Sequence, residues 1–174
     1  MFSQLKERVP GIDLEAYFMI LQLRNYAELN GQPVTEQIFV HSKLLIVDDE
    51  KCVIASANLN DRSLVGVRDS EIGIVVHSDA KRVEGQMNGE IVQTGQFVTS
   101  LRRHLMREHL GLALDGEDVI DPISHDTWTL FRSTARKNTH LYESVFQHIP
   151  RDTILTYEDY ESKKKAAPLL TLVP

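Results

Sequence analysis

His41, Lys43, Asp48, Ser56 and Asn58 stand within one short stretch of the sequence. If residues 41–43 are extended, His41 and Lys43 point to the same face, because strand side chains alternate with a period of two. Ser56 and Asn58 share a face for the same reason. Should the two segments fold back as a hairpin, an imidazole, an ammonium, a hydroxyl and an amide converge. That set suits phosphoryl transfer: Lys43 and the polar donors stabilise charge on phosphate oxygens, and His41 attacks or moves a proton. Glu71, on the following strand, is in a position to bind the second imidazole nitrogen, fixing the tautomer and supporting a cationic ring. Each residue also has a plain reading: His41 as a surface histidine, Lys43 as a solvated edge-strand charge, Asp48 as a turn residue, Ser56 and Asn58 as loop caps. Convergence in one hairpin favours the chemical reading.

The elements expected to position these groups follow from patterning. Thr35–His41, Lys43–Asp49 and Lys51–Ala57 are rich in apolar and β-branched residues, and they read as buried strands folding back around an acidic turn at Asp49-Glu50. Asn58–Gly66 is polar and reads as a loop with a helical turn, and Ser70–Ser78 as a fourth strand. Upstream, Leu14–Asn25 is a dense apolar run whose length suits a buried strand, with a helix left open. Asn30–Pro33 is a turn signal. Downstream, Gln96–Gly111 is a helix with Phe97, Leu101 and Leu105 on one face, Val98 beside them, and Gly111 as its stop. A second helical stretch begins at Asp121-Pro122 with Trp128, Phe131 and Ala135 on one side, and a third, short helix includes Leu141, Val145 and Phe146. Strands first and helices after make one α/β or α+β unit, assigned to residues 1–150, with a polar tail at 151–174.

Composition narrows the function classes. Of 174 residues, 42% are hydrophobic and 25% charged, the balance of a folded globular chain, and the net charge is −6. A nucleic-acid binder usually carries a basic excess, which is absent. A single cysteine, Cys52, precludes an internal disulfide and fits a reducing compartment. No apolar run approaches the roughly 20 residues of a membrane span, so the expected location is cytoplasmic, peripheral at membranes. There is no H-E-x-x-H, no paired cysteine and no Asp-rich loop, so no metal is expected.

The spacing His41-x-Lys43-x4-Asp48-x6-Ala55-Ser56-x-Asn58 resembles the H-x-K-x4-D-x6-G-S-x-N motif of the phospholipase D superfamily, departing only at Ala55, where glycine is usual. Val34–Val76 as a whole is similar to the second such region of eukaryotic phosphatidylcholine-hydrolysing phospholipases D. Asn60–Ser63 (NDRS) and Arg68–Glu71 (RDSE) resemble that subgroup in particular, and the flanking LRNYAELNG and YESVFQHIPRDTI extend the likeness across about residues 25–155. The resemblance implies an α/β fold, a phospholipase D-type mixed sheet flanked by helices, forming one half of a two-fold catalytic unit. It implies a phosphodiesterase that converts phosphatidylcholine to phosphatidic acid and choline, or transphosphatidylates, through a phosphohistidine and without a cofactor. His41 is then the general acid and later the base, the first motif's histidine the nucleophile. Lys43, Ser56 and Asn58 hold or line the phosphate pocket, Glu71 orients His41, and Asp48 organises the site. The implied partners are a phospholipid membrane, a first-motif half and phosphoinositides. Because the superfamily site needs two motifs and this sequence shows one, the expectation is a fragment, a truncated gene product or a degenerate paralogue, inactive alone. Two alternatives stay open: a single-motif phosphodiesterase that dimerises across its site, and a non-catalytic regulatory module.

Other features have plainer expectations. Arg102, Arg103 and Arg107 read as a solvated helix face, Lys163–Lys165 as an exposed segment, Trp128 and Phe131 as core, and Cys52 as buried and inert.

Overall fold

A computed structural model of the chain describes residues 2–77, 81–146 and 156–166. In order, the elements are α1 (Phe2–Arg8), a 3₁₀ turn (Leu14–Ala16), β1 (Arg24–Leu29), β2 (Gln32–Gln37), β3 (Lys43–Val47), β4 (Lys51–Ala55), α2 (Asp61–Leu64), β5 (Gly73–His77), β6 (Arg82–Met87), β7 (Glu90–Gly95), α3 (Gln96–Leu110), α4 (His125–Val145) and α5 (Tyr157–Ala166). This is the expected mixed α/β architecture of antiparallel sheets and helices. The chain divides into two compact units, Met1–Glu36 with Tyr142–Pro174, and Gln37–Leu141. All of the candidate site residues belong to the second.

In the first unit, β1 and β2 form a two-stranded sheet. They are joined by Asn30-Gly31, both at positive φ (52° and 75°), the geometry that a two-residue hairpin loop demands and that Asn-Gly supplies. The expected strand over Leu14–Asn25 is replaced. Its start is a 3₁₀ turn capped by Asp13, whose side chain accepts from Glu15 N, and β1 begins only at Arg24. Tyr17, Phe18, Ile20 and Leu21 are exposed. An apolar run becomes a strand only where a neighbouring strand takes its backbone hydrogen bonds, and no strand among the described residues pairs with this one.

The second unit is built on the antiparallel order β3-β4-β5, with register Lys43↔Ala55↔Gly73 at one end and Val47↔Lys51↔His77 at the other. The β3–β4 turn is Asp48-Asp49-Glu50, with Asp48 and Asp49 at φ 51° and 53° and Glu50 N donating to Val47 O. Aspartate is among the residues that tolerate this left-handed region. A second hairpin, β6–β7, turns at Asn88-Gly89. Helix α3 follows β7 directly and stops at Gly111, which is left-handed (φ 68°) and returns its N–H to Arg107 O and Glu108 O, as expected for a glycine terminator.

Three packing expectations need correction. Arg102 and Arg107 are buried, 7% and 1% exposed, rather than on a solvated face, while Arg103 is half-buried. Arg107 donates to Ala113 O and Asp118. Trp128 and Phe131 are half-buried rather than core. The two expected C-terminal helices are one: α4 starts at His125, where Ser124 caps Thr127 N, not at Asp121-Pro122, and continues without a break to Val145. Cys52 is fully buried, as expected. The lysine side chains of 163–165, the 150/151 boundary and most of the expected tail lie outside the described residues, although α5 occupies Tyr157–Ala166.

Asp121 ties the start of this helical region to the β6–β7 turn. Its carboxylate accepts from Gly89 N (2.7 Å) and Ile123 N (3.1 Å). Burial opposes its ionisation, but hydrogen bonds from the backbone of Gly89, Asn88, Ile123 and Ser124 outweigh it and hold its pKa below the ordinary 3.8. A carboxyl depressed in the folded state stabilises above its unfolded pKa and loses that contribution as pH falls through the folded value. Asp121→Asn is therefore expected to cost about 1–3 kcal/mol at pH 7. Urea titrations of both proteins should show the gap closing as pH drops below 3.8.

Candidate active site

The β3–β4 hairpin brings the two halves of the motif together because its register sets Lys43 opposite Ala55. His41 lies two residues before β3, in irregular backbone rather than in the expected strand over Thr35–His41, since β2 ends at Gln37. Its ring is exposed and stacks on Phe39, with centroids 5.9 Å apart and planes at 25°. A pocket of about 410 Å³ opens here, lined by His41, Ser42, Lys43, Leu44, Ile54, Ala55, Ser56, Leu101 and Leu105. Three of the groups with phosphoryl-transfer chemistry, His41, Lys43 and Ser56, thus share one cavity. Leu101 and Leu105 supply its wall from α3. Their four-residue spacing reveals an apolar helix face in sequence, but not that the face looks onto this pocket.

The Ala55 departure from the motif is accommodated locally. Ala55 is not among the residues at positive φ, and its cross-strand partner is Gly73, where a Cβ would stand 3.1 Å from the Ala55 methyl. Alanine fits because glycine faces it.

Ser56 is the hinge between the pocket and Glu71. Its N–H donates to Ile72 O (2.8 Å), its Oγ accepts from Ile72 N (2.9 Å), and the hydroxyl donates to Glu71 Oε2 in a short hydrogen bond. A hydroxyl has one proton to give. In this arrangement it goes to the carboxylate rather than to the pocket. Hydrogen bonds from Ser56 and then Ser63, with the charges of Lys43 and Arg62, hold the Glu71 carboxyl below its ordinary value of 4.5 against a small desolvation penalty. Glu71 is therefore an anion at neutral pH. Among the described residues, no hydrogen bond joins it to His41.

Asn58 lies just past the pocket. Its carbonyl accepts from Asn60 N (2.9 Å), and Asn60 caps α2 by accepting from Ser63 N (3.0 Å). Asp48 is at the opposite end of the hairpin. Five residues of strand, at roughly 3.3 Å each, separate it from Lys43, so it touches nothing in the pocket. The buried carboxylate of that turn is Asp49, 3% exposed, which accepts three hydrogen bonds from Arg102. Among the described residues, no cluster of histidine, cysteine, aspartate and glutamate is placed to hold a metal ion.

The arrangement can bind one anionic phosphodiester oxygen at Lys43 and exchange a proton at His41. It holds one imidazole, and double displacement at phosphorus needs a nucleophile and a separate proton donor.

Comparison with known proteins agrees with this chemistry. Residues 20–163 match the family model described as Phospholipase D. The chain is 43% identical to a phospholipase D of Phytophthora infestans over 85% of its length. It is 47% identical to phospholipase D zeta 2 of Arabidopsis thaliana over 83%, and 43% identical to human phospholipase D1 over 88%. It spans 8% of the first of these relatives and 14% of each of the other two.

Proposed function

This chain belongs to the phospholipase D family, and from that premise we propose that it supplies the second-motif half of an enzyme that hydrolyses, or transphosphatidylates, phosphatidylcholine at a membrane. The supporting observation is the shared pocket of His41, Lys43 and Ser56. The histidine of a first-motif half attacks phosphorus, forming a P–N bond as the P–O bond to choline breaks, and the His41 imidazolium gives its proton to the leaving alkoxide. Water or a primary alcohol then attacks the phosphohistidine, His41 takes its proton, and phosphatidate or a phosphatidyl alcohol departs. Lys43 and Asn58 hold the phosphate oxygens, where charge grows in both transition states. Ser56 lines the same pocket with its hydroxyl held by Glu71. Glu71 acts as the carboxylate of the site, and Asp48 acts from the turn, on the frame rather than on substrate.

Leu59, Val67 and Ile72, close to the motif in sequence, stand fully or largely exposed, apolar surface available to a partner. Among the described residues, no helix is long and apolar enough to cross a membrane.

The chain and a first-motif half, purified separately and co-expressed, test this reading by choline release from phosphatidylcholine vesicles. We expect turnover only from the pair. Turnover by a strict monomer would overturn the proposal, turnover by a symmetric dimer of this chain would replace it with the single-motif reading, and no turnover from the pair would leave the chain a non-catalytic module.

A further inference from the structure

Apart from Glu71, the NDRS and RDSE elements have no part in the chemistry above, yet the structure joins them. Arg62 Nε lies 2.5 Å from Asp69 Oδ2, and the Ser63 side chain is near enough to Glu71 to help hold its carboxyl below the ordinary value. Helix α2, which carries Arg62 and Ser63, has four residues and is capped by Asn60, while Gly66 just beyond it is left-handed at φ 79°. So short a helix has no stability of its own. It keeps its place through the cap and through the Arg62–Asp69 pair. We propose that Arg62, Ser63 and Asp69 are positioning residues: together they form a latch that fixes the Glu71 carboxylate over Ser56, and so sets the Ser56 wall of the phosphate pocket.

The geometry supports this in sequence. The Arg62–Asp69 pair closes the loop between α2 and β5, drawing residues 69–71 against α2. Ser56 then occupies Glu71 Oε2, with Ser63 beside the carboxylate. Ile72 N completes the link by donating back to Ser56 Oγ. The groups facing Glu71 are thus Ser56 from the end of β4, Ser63 and Arg62 from α2, and Lys43 from β3. The ion pair itself is exposed, 66% at Arg62 and 35% at Asp69. Such pairs contribute little to folding, so its purpose is local geometry.

The proposal rests on the phospholipase D reading for one of two measurements only. The first is the carboxyl titration of Glu71, followed by carbon NMR in the full chain. Removing both charges together, in Arg62→Ala with Asp69→Ala, leaves the local charge balance unchanged while opening the latch. The Glu71 midpoint should rise toward 4.5, as it should in Ser63→Ala, and the charge swap Arg62→Asp with Asp69→Arg should bring it back down. The second is kcat/KM of the co-expressed pair of halves. It should fall on the order of tenfold in the double-alanine variant, carried by kcat, and recover in the swap. Melting temperatures should stay level throughout. An unmoved Glu71 midpoint in the double-alanine variant overturns the latch, and so does lost activity that the swap fails to restore. An inactive wild-type pair overturns the functional reading instead, and the titration still decides the latch.

Discussion

His41→Ala, assayed as the co-expressed pair with a first-motif half, is expected to lower choline release from phosphatidylcholine by about 10²–10⁴-fold, the range of a lost general acid–base. Stability should not follow, because the ring is exposed and its ring contact is the stack on Phe39. The size of the loss alone does not separate a proton donor from a nucleophile, but the leaving group does. Choline departs as a poor leaving alkoxide and needs its proton in the transition state, whereas a nitrophenolate departs without one. If His41 is the acid, a nitrophenyl phosphodiester should recover most of the lost rate in the first half-reaction, seen as a burst of nitrophenol. If His41 is the nucleophile, no burst appears with either substrate. Lys43→Ala should impair both substrates alike, since its charge is needed by the phosphoryl oxygens whichever group leaves.

The features that sequence made legible are those set by near neighbours. The β3–β4 hairpin follows from two apolar runs around an acidic turn, the α2 turn from Asn60 before Asp61-Arg62-Ser63, and α3 from a four-residue apolar repeat ending at Gly111. The motif spacing located His41, Lys43 and Ser56, which share the pocket, through a resemblance that family membership bears out. Features set by distant partners were not legible. Arg102 has the spacing of a solvent-facing residue, and its burial depends on a carboxylate 53 positions earlier. Glu71 is the expected carboxylate, but its bond to Ser56 depends on how loop 66–72 folds over the end of β4. Tyr17–Leu21 has the composition of a core strand, and whether it becomes one depends on a neighbour that composition does not reveal. The β6–β7 hairpin has a local signal of its own, Asn88-Gly89 between Met87 and Glu90.

The Asp49–Arg102 pair carries the largest expected effect on stability. By spacing, the motif's aspartate is Asp48, yet Asp48 is exposed and its neighbour is buried. Arg102 Nε and Nη2 reach Asp49 at 3.0 and 2.6 Å, Nη2 also donates to Ile120 O at 2.9 Å, and Nη1 donates to Val119 O. One guanidinium thus ties the hairpin turn, α3 and the 119–120 segment together, and Gly95 N adds a bond to Asp49 O (2.8 Å). Asp49→Ala leaves a buried cation facing two carbonyls and the Met106 sulfur, adds the same left-handed strain as at residue 48, and should cost about 3–5 kcal/mol, the usual penalty for removing one partner of a buried pair. Among the described residues the Asp48 side chain makes no hydrogen bond or ion pair, so the cost of Asp48→Ala should be confined to the strain of a left-handed alanine, roughly 1 kcal/mol. Combining Asp49→Ala with Arg102→Met should recover part of the loss, because the stranded charge is gone, but not all, because the carbonyls of Val119 and Ile120 then lose their donor. Chemical denaturation of the four proteins checks the order wild type, Asp48→Ala, double variant, Asp49→Ala. The same order should appear in the activity of the paired halves near the melting temperature. Arg102 sits between Leu101 and Leu105 on α3, and the pocket wall keeps its distance from His41 and Lys43 only while the hairpin turn stays tied to that helix. A greater loss from Asp48→Ala than from Asp49→Ala would mean that the motif aspartate, not its neighbour, holds the frame.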